Sequence, residues 1–137
     1  MSPKFTTPQA AEDAYYDAID EQDIEALMRV WEESDEVLCL LPMMPPQRGK
    51  GAIHNAWSRL LDPNTPLDIE VIHLSWIETT EIAIHLLEER VAAPSQPEPQ
   101  SVYACNINRR VAEGWRLLMH QNSPTPPAPG LKVPLKG

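Results

Sequence analysis

Apolar residues recur at helical spacing through the first sixty positions and at every second position through most of the rest. Thr7-Pro8 opens the first periodic stretch, a capping hydroxyl followed by proline at the first helical position. From there Ala11, Tyr15, Ala18 and Ile19 share a face, while Glu12, Asp13, Asp17 and Asp20 are predicted to meet water. Asp23 is placed to cap a second helix whose buried stripe is Ile24, Leu27, Met28 and Trp31. Val37–Leu41 reads as a short strand ended by Pro42, and Pro42–Gly51 as a loop. A third helix turns Ile53, Ala56, Trp57, Leu60 and Leu61 inward and stops before Pro63.

The remainder alternates. Leu67–Ile77 and Ile82–Val91 are predicted strands around the turn Glu78–Glu81, followed by a Pro/Gln/Ser-rich loop over 92–100. Residues 102–109 and 115–122 form a hairpin about Val111-Ala112-Glu113-Gly114. With Arg110 opposite Trp115, counting back sets Cys105 opposite His120 and Tyr103 opposite Asn122. Directly opposed side chains share a face, so these four are expected on one wall, a mixture that suits a pocket. A slip of one residue would dissolve it. The order helix, helix, strand, helix, then four antiparallel strands predicts an α+β fold with the helices on one sheet face. The domain is expected over 1–124. From Thr125 the chain reads TPPAPGLKVPLKG, a polyproline-prone tail over 125–137.

Composition narrows the partners. At 137 residues one domain with a real core is expected. A net charge of −9 disfavours nucleic acid and anionic membrane surfaces. The acids crowded between Glu12 and Glu36 read as a solvated helical face. Two cysteines without a signal peptide point to a reduced, cytoplasmic protein. No apolar run approaches the ~20 residues a membrane span needs.

Three stretches carry a resemblance: YYDAIDEQDIEALMRVW (15–31), GKGAIHNAW (49–57) and ACNINRRVAEGWRLLMHQNSP (104–124). Across roughly 8–124 the chain resembles the SnoaL-like branch of the nuclear transport factor 2-like superfamily. The resemblance implies a cone-shaped roll in which three N-terminal helices close a strongly curved, mainly antiparallel sheet around a cavity. It also implies dimers through the outer sheet face. The branch includes ketosteroid isomerases, polyketide cyclases, dehydratases and the association domain of calcium/calmodulin-dependent kinase, so fold alone leaves function open. On the isomerase pattern the helix-one tyrosine falls on Tyr15, but the two aspartates fall near Leu41 and on Cys105. Without a carboxylate at either place, steroid-type isomerisation is not expected. The kinase domain's cavity arginines fall on Leu86, Cys105 and Asn122, so an anionic ligand lacks its anchors.

The same comparison puts Leu86 inside, and a turn at 79–80 then sets His73 opposite it, also inward. His85 and His54 fall to surface or interface. His73 and His120 are two imidazoles facing one cavity, fewer than the three protein ligands usual for catalytic zinc, so no metal and no cofactor is expected. Cys105 beside His120 invites a nucleophile reading, against which stands a small buried thiol beside a polar wall. Tyr15 suits either a phenolic donor to a carbonyl or a backbone-bonded core tyrosine. Catalytic candidates are therefore Tyr15, His73, His120 and Cys105. The expected ligand wall adds Trp31, Met43, Trp57, Leu86, Tyr103 and Asn122. The expected outer face carries Ile72, Leu74, Trp76, Ala83, His85, Leu87, Leu117 and Met119, enough apolar surface to predict a homodimer. Two functions stay open. One is a dimeric protein binding a small, largely apolar molecule. The other is a cofactor-free isomerase, cyclase or dehydratase acting on a carbonyl-bearing apolar substrate.

Overall fold

The computed structural model describes residues 4–94 and 98–123, and the proline-rich segment expected over 125–137 lies outside them. Helix α1 (Pro8–Glu21) starts where the Thr7 hydroxyl accepts the Ala10 amide at 3.0 Å. Helix α2 (Ile24–Val30) starts the same way, with the Asp23 carboxylate accepting from Ala26 at 3.0 Å. Strand β1 (Leu38–Leu40) pairs antiparallel with β2 (Gln47–Arg48), so part of the expected loop is paired. Helix α3 (Lys50–Leu60) follows at once. The long strands are β3 (Asp68–Glu78), β4 (Ile82–Ala92), β5 (Gln100–Val111) and β6 (Gly114–Asn122). They build one six-stranded sheet in the order β2-β1-β6-β5-β4-β3, with only β1 and β6 parallel. Three helices packed on a mainly antiparallel sheet make the α+β architecture expected.

Two single-residue bulges decide which side chains the sheet turns toward the helices. In the β5–β6 hairpin Arg110 does oppose Trp115, but the pairing steps from Asn108↔Leu117 to Ile107↔Met119. Leu118 is the extra residue, and beyond it Asn106 opposes His120 while Cys105 opposes Gln121. Between β3 and β4 the step falls at Leu74, giving His73↔Leu87 on one side and Ser75↔Leu86 on the other. An extra residue reverses the facing of everything beyond it. The inner face therefore holds Ala83, His85, Leu87 and Glu89 on β4 and Val102, Ala104, Asn106 and Asn108 on β5. Ala83, His85, Leu87 and Leu117, expected outside, are all buried. The outer face does expose apolar side chains, but a different set, with Leu86, Tyr103 and Ile77 at 42%, 40% and 57% exposure.

Between the helices and this face lies the core. Tyr15 on α1 meets Trp31 and Trp57 edge to face, with ring centroids 6.4 and 6.1 Å apart. Ala11, Ala18, Ile19, Leu27, Val30, Val37 and Ile53 fill the space around them. The acidic face of the first helices has two exceptions to solvation, Glu12 and Glu32, at 2% and 4% exposure. Glu32 is clamped by the Arg109 guanidinium at 2.7 and 2.6 Å, a two-pronged bond that ties the end of α2 to β5 and holds its carboxyl below the ordinary range. Gly114 is required at the head of β6. Its φ is 102°, and a Cβ there would lie 2.5 Å from the Phe5 carbonyl.

Candidate functional site

Glu12 is the reason the inner face is polar at its centre. It lies four residues before Tyr16 and seven before Ile19, on the stripe that α1 presses against the sheet. Its Oε2 accepts from Asn106 Nδ2 at 3.0 Å and meets His85 Nδ1 at 2.9 Å, and its Oε1 meets His73 Nε2 at 2.5 Å. Burial pushes this carboxyl up, but the bonds to His85, Asn106 and His73 outweigh it and leave the group below its ordinary value.

From Asn106 the network runs across the face to a second buried carboxylate. Asn106 Nδ2 also donates to Tyr16 Oη at 3.1 Å, and Tyr16 Oη donates to Glu89 Oε2 at 2.7 Å. The Asn106 carbonyl faces His120 Nδ1 at 2.6 Å. His120 Nε2 faces the Asn122 carbonyl at 2.8 Å, and Asn122 Nδ2 donates to Glu89 Oε1 at 2.9 Å. Six side chains from α1, β4, β5 and β6 thus form one hydrogen-bonded chain in which each asparagine joins a carboxylate to the imidazole. Closed polar networks of this kind fix a single arrangement, because any member left unpaired is costly. Burial, and next the Glu89 charge, raise the Tyr16 phenol far above its ordinary value, so it stays a donor.

The Glu89 end opens into a pocket of about 760 Å³. Its walls are apolar, with Ile19, Leu41, Trp57, Leu67, Ile69 and Val102 around a floor of Glu89, His120 and Asn122. Tyr15 lines the same pocket and lies 5.1 Å from the His120 ring, centroid to centroid. Burial above all keeps its phenol protonated, and Tyr15 Oη is buried without a hydrogen-bond partner, whereas the Trp57 indole meets the Cys39 thiol. An orphaned donor in an apolar pocket is what a polar group on a bound molecule would satisfy. A larger cleft of about 950 Å³ lies elsewhere, between α2 and the β4–β5 end of the sheet. Charges of both signs line it, among them the Arg109–Glu32 and Lys50–Glu33 pairs, so it lacks an apolar seat.

Of the residues expected at the ligand wall, Tyr15, Met43, Trp57, His120 and Asn122 line this pocket. Met43 does so from the rim, fully exposed and with a left-handed backbone at φ 64°. Trp31 does not: it is wholly buried behind Tyr15. Leu86, Tyr103 and Cys105 lie on the opposite face of the sheet, because the bulges at Leu74 and Leu118 and a longer β3–β4 turn reverse their parity. Cys105 is therefore not beside His120, and burial raises its thiol. The other cysteine, Cys39, is pushed up to about 12 by burial. His73 does face inward, but at the edge of the sheet on Glu12, away from the pocket.

Sequence reasoning missed Glu12, His85, Glu89 and Asn106. For Glu12 a signal existed in its spacing from Tyr16 and Ile19. For β4 there was none, since Ile82, Ile84 and Leu86 are as apolar as Ala83, Leu87 and Val91.

Comparison with known proteins agrees with this fold. Residues 9–129 match the model of the SnoaL-like domain. A solved structure assigned as a calcium/calmodulin-dependent protein kinase type II association domain from Thiobacillus denitrificans is similar at 30% identity. That match covers 90% of this chain and 99% of the other, with a TM-score of 0.84. A structure assigned as a dehydratase of the NTF2-like family from Streptomyces avermitilis is 25% identical over 87% of this chain and 94% of its own, with a TM-score of 0.76. A ketosteroid isomerase-like protein from Erwinia carotovora atroseptica, 17% identical over 83% of this chain and 90% of its own at a TM-score of 0.69, shares the fold. No curated protein matches the chain.

Proposed function

The chain belongs to the SnoaL-like domain family, and on that premise we propose that its pocket binds a small, largely apolar molecule carrying a carbonyl or hydroxyl group. The observation that carries this reading is the pairing of apolar walls with a polar floor of Glu89, His120 and Asn122, beneath the orphaned donor Tyr15 Oη. A pocket of this size accepts a drug-sized guest, and a few placed polar groups set its orientation. Titration with a cyclic enone, followed by tryptophan fluorescence, tests it. Saturable binding that weakens roughly tenfold in Tyr15→Phe is expected, about the worth of one hydrogen bond in a dry site. Equal, non-saturable quenching by the enone and by the matching hydrocarbon would overturn it.

A second reading follows from Glu89. A buried carboxylate at the floor supplies the proton acceptor that steroid-type positions Leu41 and Cys105 lack. In this reading Glu89 takes a proton next to the guest's carbonyl while Tyr15 donates to the carbonyl oxygen, with no cofactor required. Exchange of the ketone's α-protons for deuterium, read by proton NMR, distinguishes the two. Exchange above buffer that Glu89→Gln abolishes supports catalysis. Exchange at the buffer rate leaves a binding protein.

The same reading includes a homodimer through the outer sheet face, where Leu86, Tyr103 and Ile77 are exposed. No helix among the described residues is long and apolar enough to cross a membrane. A cytoplasmic setting would keep Cys39 and Cys105 as the free thiols they are here. Light scattering at micromolar concentration is expected to give twice the 15.4 kDa chain mass, and Leu86→Asp/Tyr103→Asp the chain mass itself. A monomeric wild type would refute the dimer.

A further inference from the structure

At the end of the polar network away from the pocket, Glu12, His73 and His85 bring one carboxylate and two imidazoles together from α1, β3 and β4. Their donor atoms all lie within 4.8 Å of one another. The two rings approach edge to face, centroids 5.7 Å apart and 83° between planes, so nitrogens and not ring faces converge on the carboxylate. From this geometry we propose that Glu12, His73 and His85 form a binding site for a divalent first-row transition metal such as zinc.

Each part of the cluster suits that role. Two nitrogens and one carboxylate oxygen are a donor set that zinc and its neighbours accept, whereas magnesium and calcium prefer oxygen throughout. Glu12 and His85 are buried, at 2% and 0% exposure, so they are not the solvated acids that gather on surfaces without consequence. Asn106 Nδ2, at 3.0 Å from Glu12 Oε2, orients the carboxylate from behind, the kind of support that metal-ligating groups use. The Trp76 ring stacks on His85, centroids 3.4 Å apart and 29° between planes, and restrains that imidazole. His73 alone is open to water, its side chain 34% exposed. It gives the ion an entry path and leaves the remaining coordination positions to water. Metal bonds of ~2.0–2.2 Å set tetrahedral donors ~3.4 Å apart, so the 2.5 Å Glu12–His73 contact must open to admit the ion, which rotation of the exposed His73 ring allows. Counting histidines alone sets this site aside. Glu12, read from the sequence as solvent-facing, is the third ligand.

The site is separate from the pocket, so its test does not depend on the proposed ligand. The untagged full chain is stripped with chelator and titrated with Zn(II) and with Co(II). One equivalent of each is expected to bind at micromolar concentration or below. Zinc should raise the melting temperature, and cobalt should give visible bands without thiolate charge transfer. Cobalt should also quench the Trp76 emission, an effect lost in Trp76→Phe. Because His85→Ala removes a buried ring from the core, the exposed ligand is the better probe. His73→Gln should weaken binding roughly tenfold or more while the metal-free melting temperature holds, as loss of one ligand from a formed site does. No saturable binding, binding with thiolate bands, or binding unchanged in His73→Gln would overturn the proposal.

Discussion

Asn106 and Cys105 are neighbours in the chain and belong to different worlds. Asn106, at 1% exposure, joins Glu12, Tyr16 and His120 into one network. Cys105 points the other way, among half-exposed apolar side chains opposite Leu86 and Gln121. The same strands thus carry a polar centre on the covered face and an apolar patch on the open one, the reverse of the usual arrangement. Burying polar groups is tolerable only when each finds a partner. Within the network, Glu12 and Glu89 meet that condition through Asn106, Asn122, Tyr16 and His120, with His73 and His85 on Glu12. The buried Asn108 amide beside it, by contrast, has no hydrogen-bond partner among the described residues. The outer face has no such constraint, and its apolar character calls for a cover instead.

The sharpest way to break the contrast is to delete Leu118. Without the extra residue, the strand beyond it keeps the register of Arg110↔Trp115, and His120 and Asn122 change partners. Loss of more than roughly 4 kcal/mol, or of folding altogether, is expected, since Glu89 and Asn106 would lose their Asn122 and His120 partners in the core. Denaturant unfolding with retained stability would show that the bulge is dispensable.

Next in size are the two neighbours themselves. Asn106→Ala strips partners from Glu12, Tyr16 and His120 and should cost about 3 kcal/mol, at the upper end for one buried polar truncation. Cys105→Ala should cost under about 1 kcal/mol, because its side chain is half open to solvent. Similar costs for the two in urea unfolding would erase the distinction between the faces.

The acid limb of stability gives a finer test. The Glu12 carboxyl lies below its ordinary value of 4.5 in the fold. As pH falls the unfolded chain therefore takes up its proton first. The stability this group contributes is present above about pH 4.5 and is lost as pH drops through the folded value. Glu32 and Glu88 are lowered as well and titrate in the same window. Glu12→Gln should therefore flatten the melting temperature's acid slope without abolishing it. An unchanged slope would place Glu12 outside the network.

The smallest effect concerns the thiol. Burial raises Cys105, so alkylation near neutral pH should be slow, and His120→Ala should leave its rate unaltered. A tenfold slowing in that variant would mean that His120 does reach Cys105.

Most of the architecture was legible in the sequence because helix caps, apolar periodicity and the Ala112-Glu113 turn are local signals. Thr7, Asp23 and Gly114 act where they were read. Which residues the sheet turned inward was not legible, because bulges at Leu74 and Leu118 leave no mark in an alternation already apolar on both faces. Tyr15 and Trp57 were legible at the pocket because they sit on helices, whose apolar stripe no strand bulge disturbs. Glu12 was lost to a bias: an acid within an acidic helix is read as solvated, though its spacing from Tyr16 and Ile19 put it on the buried stripe.

The register beyond Leu118 carries the whole account, and cross-strand NMR contacts between backbone protons measure it directly. Contacts of Asn106 with His120 and of Cys105 with Gln121 are predicted. Contacts of Cys105 with His120 and of Tyr103 with Asn122 would contradict it, placing the thiol, and not Asn106 and its carboxylates, beside the imidazole.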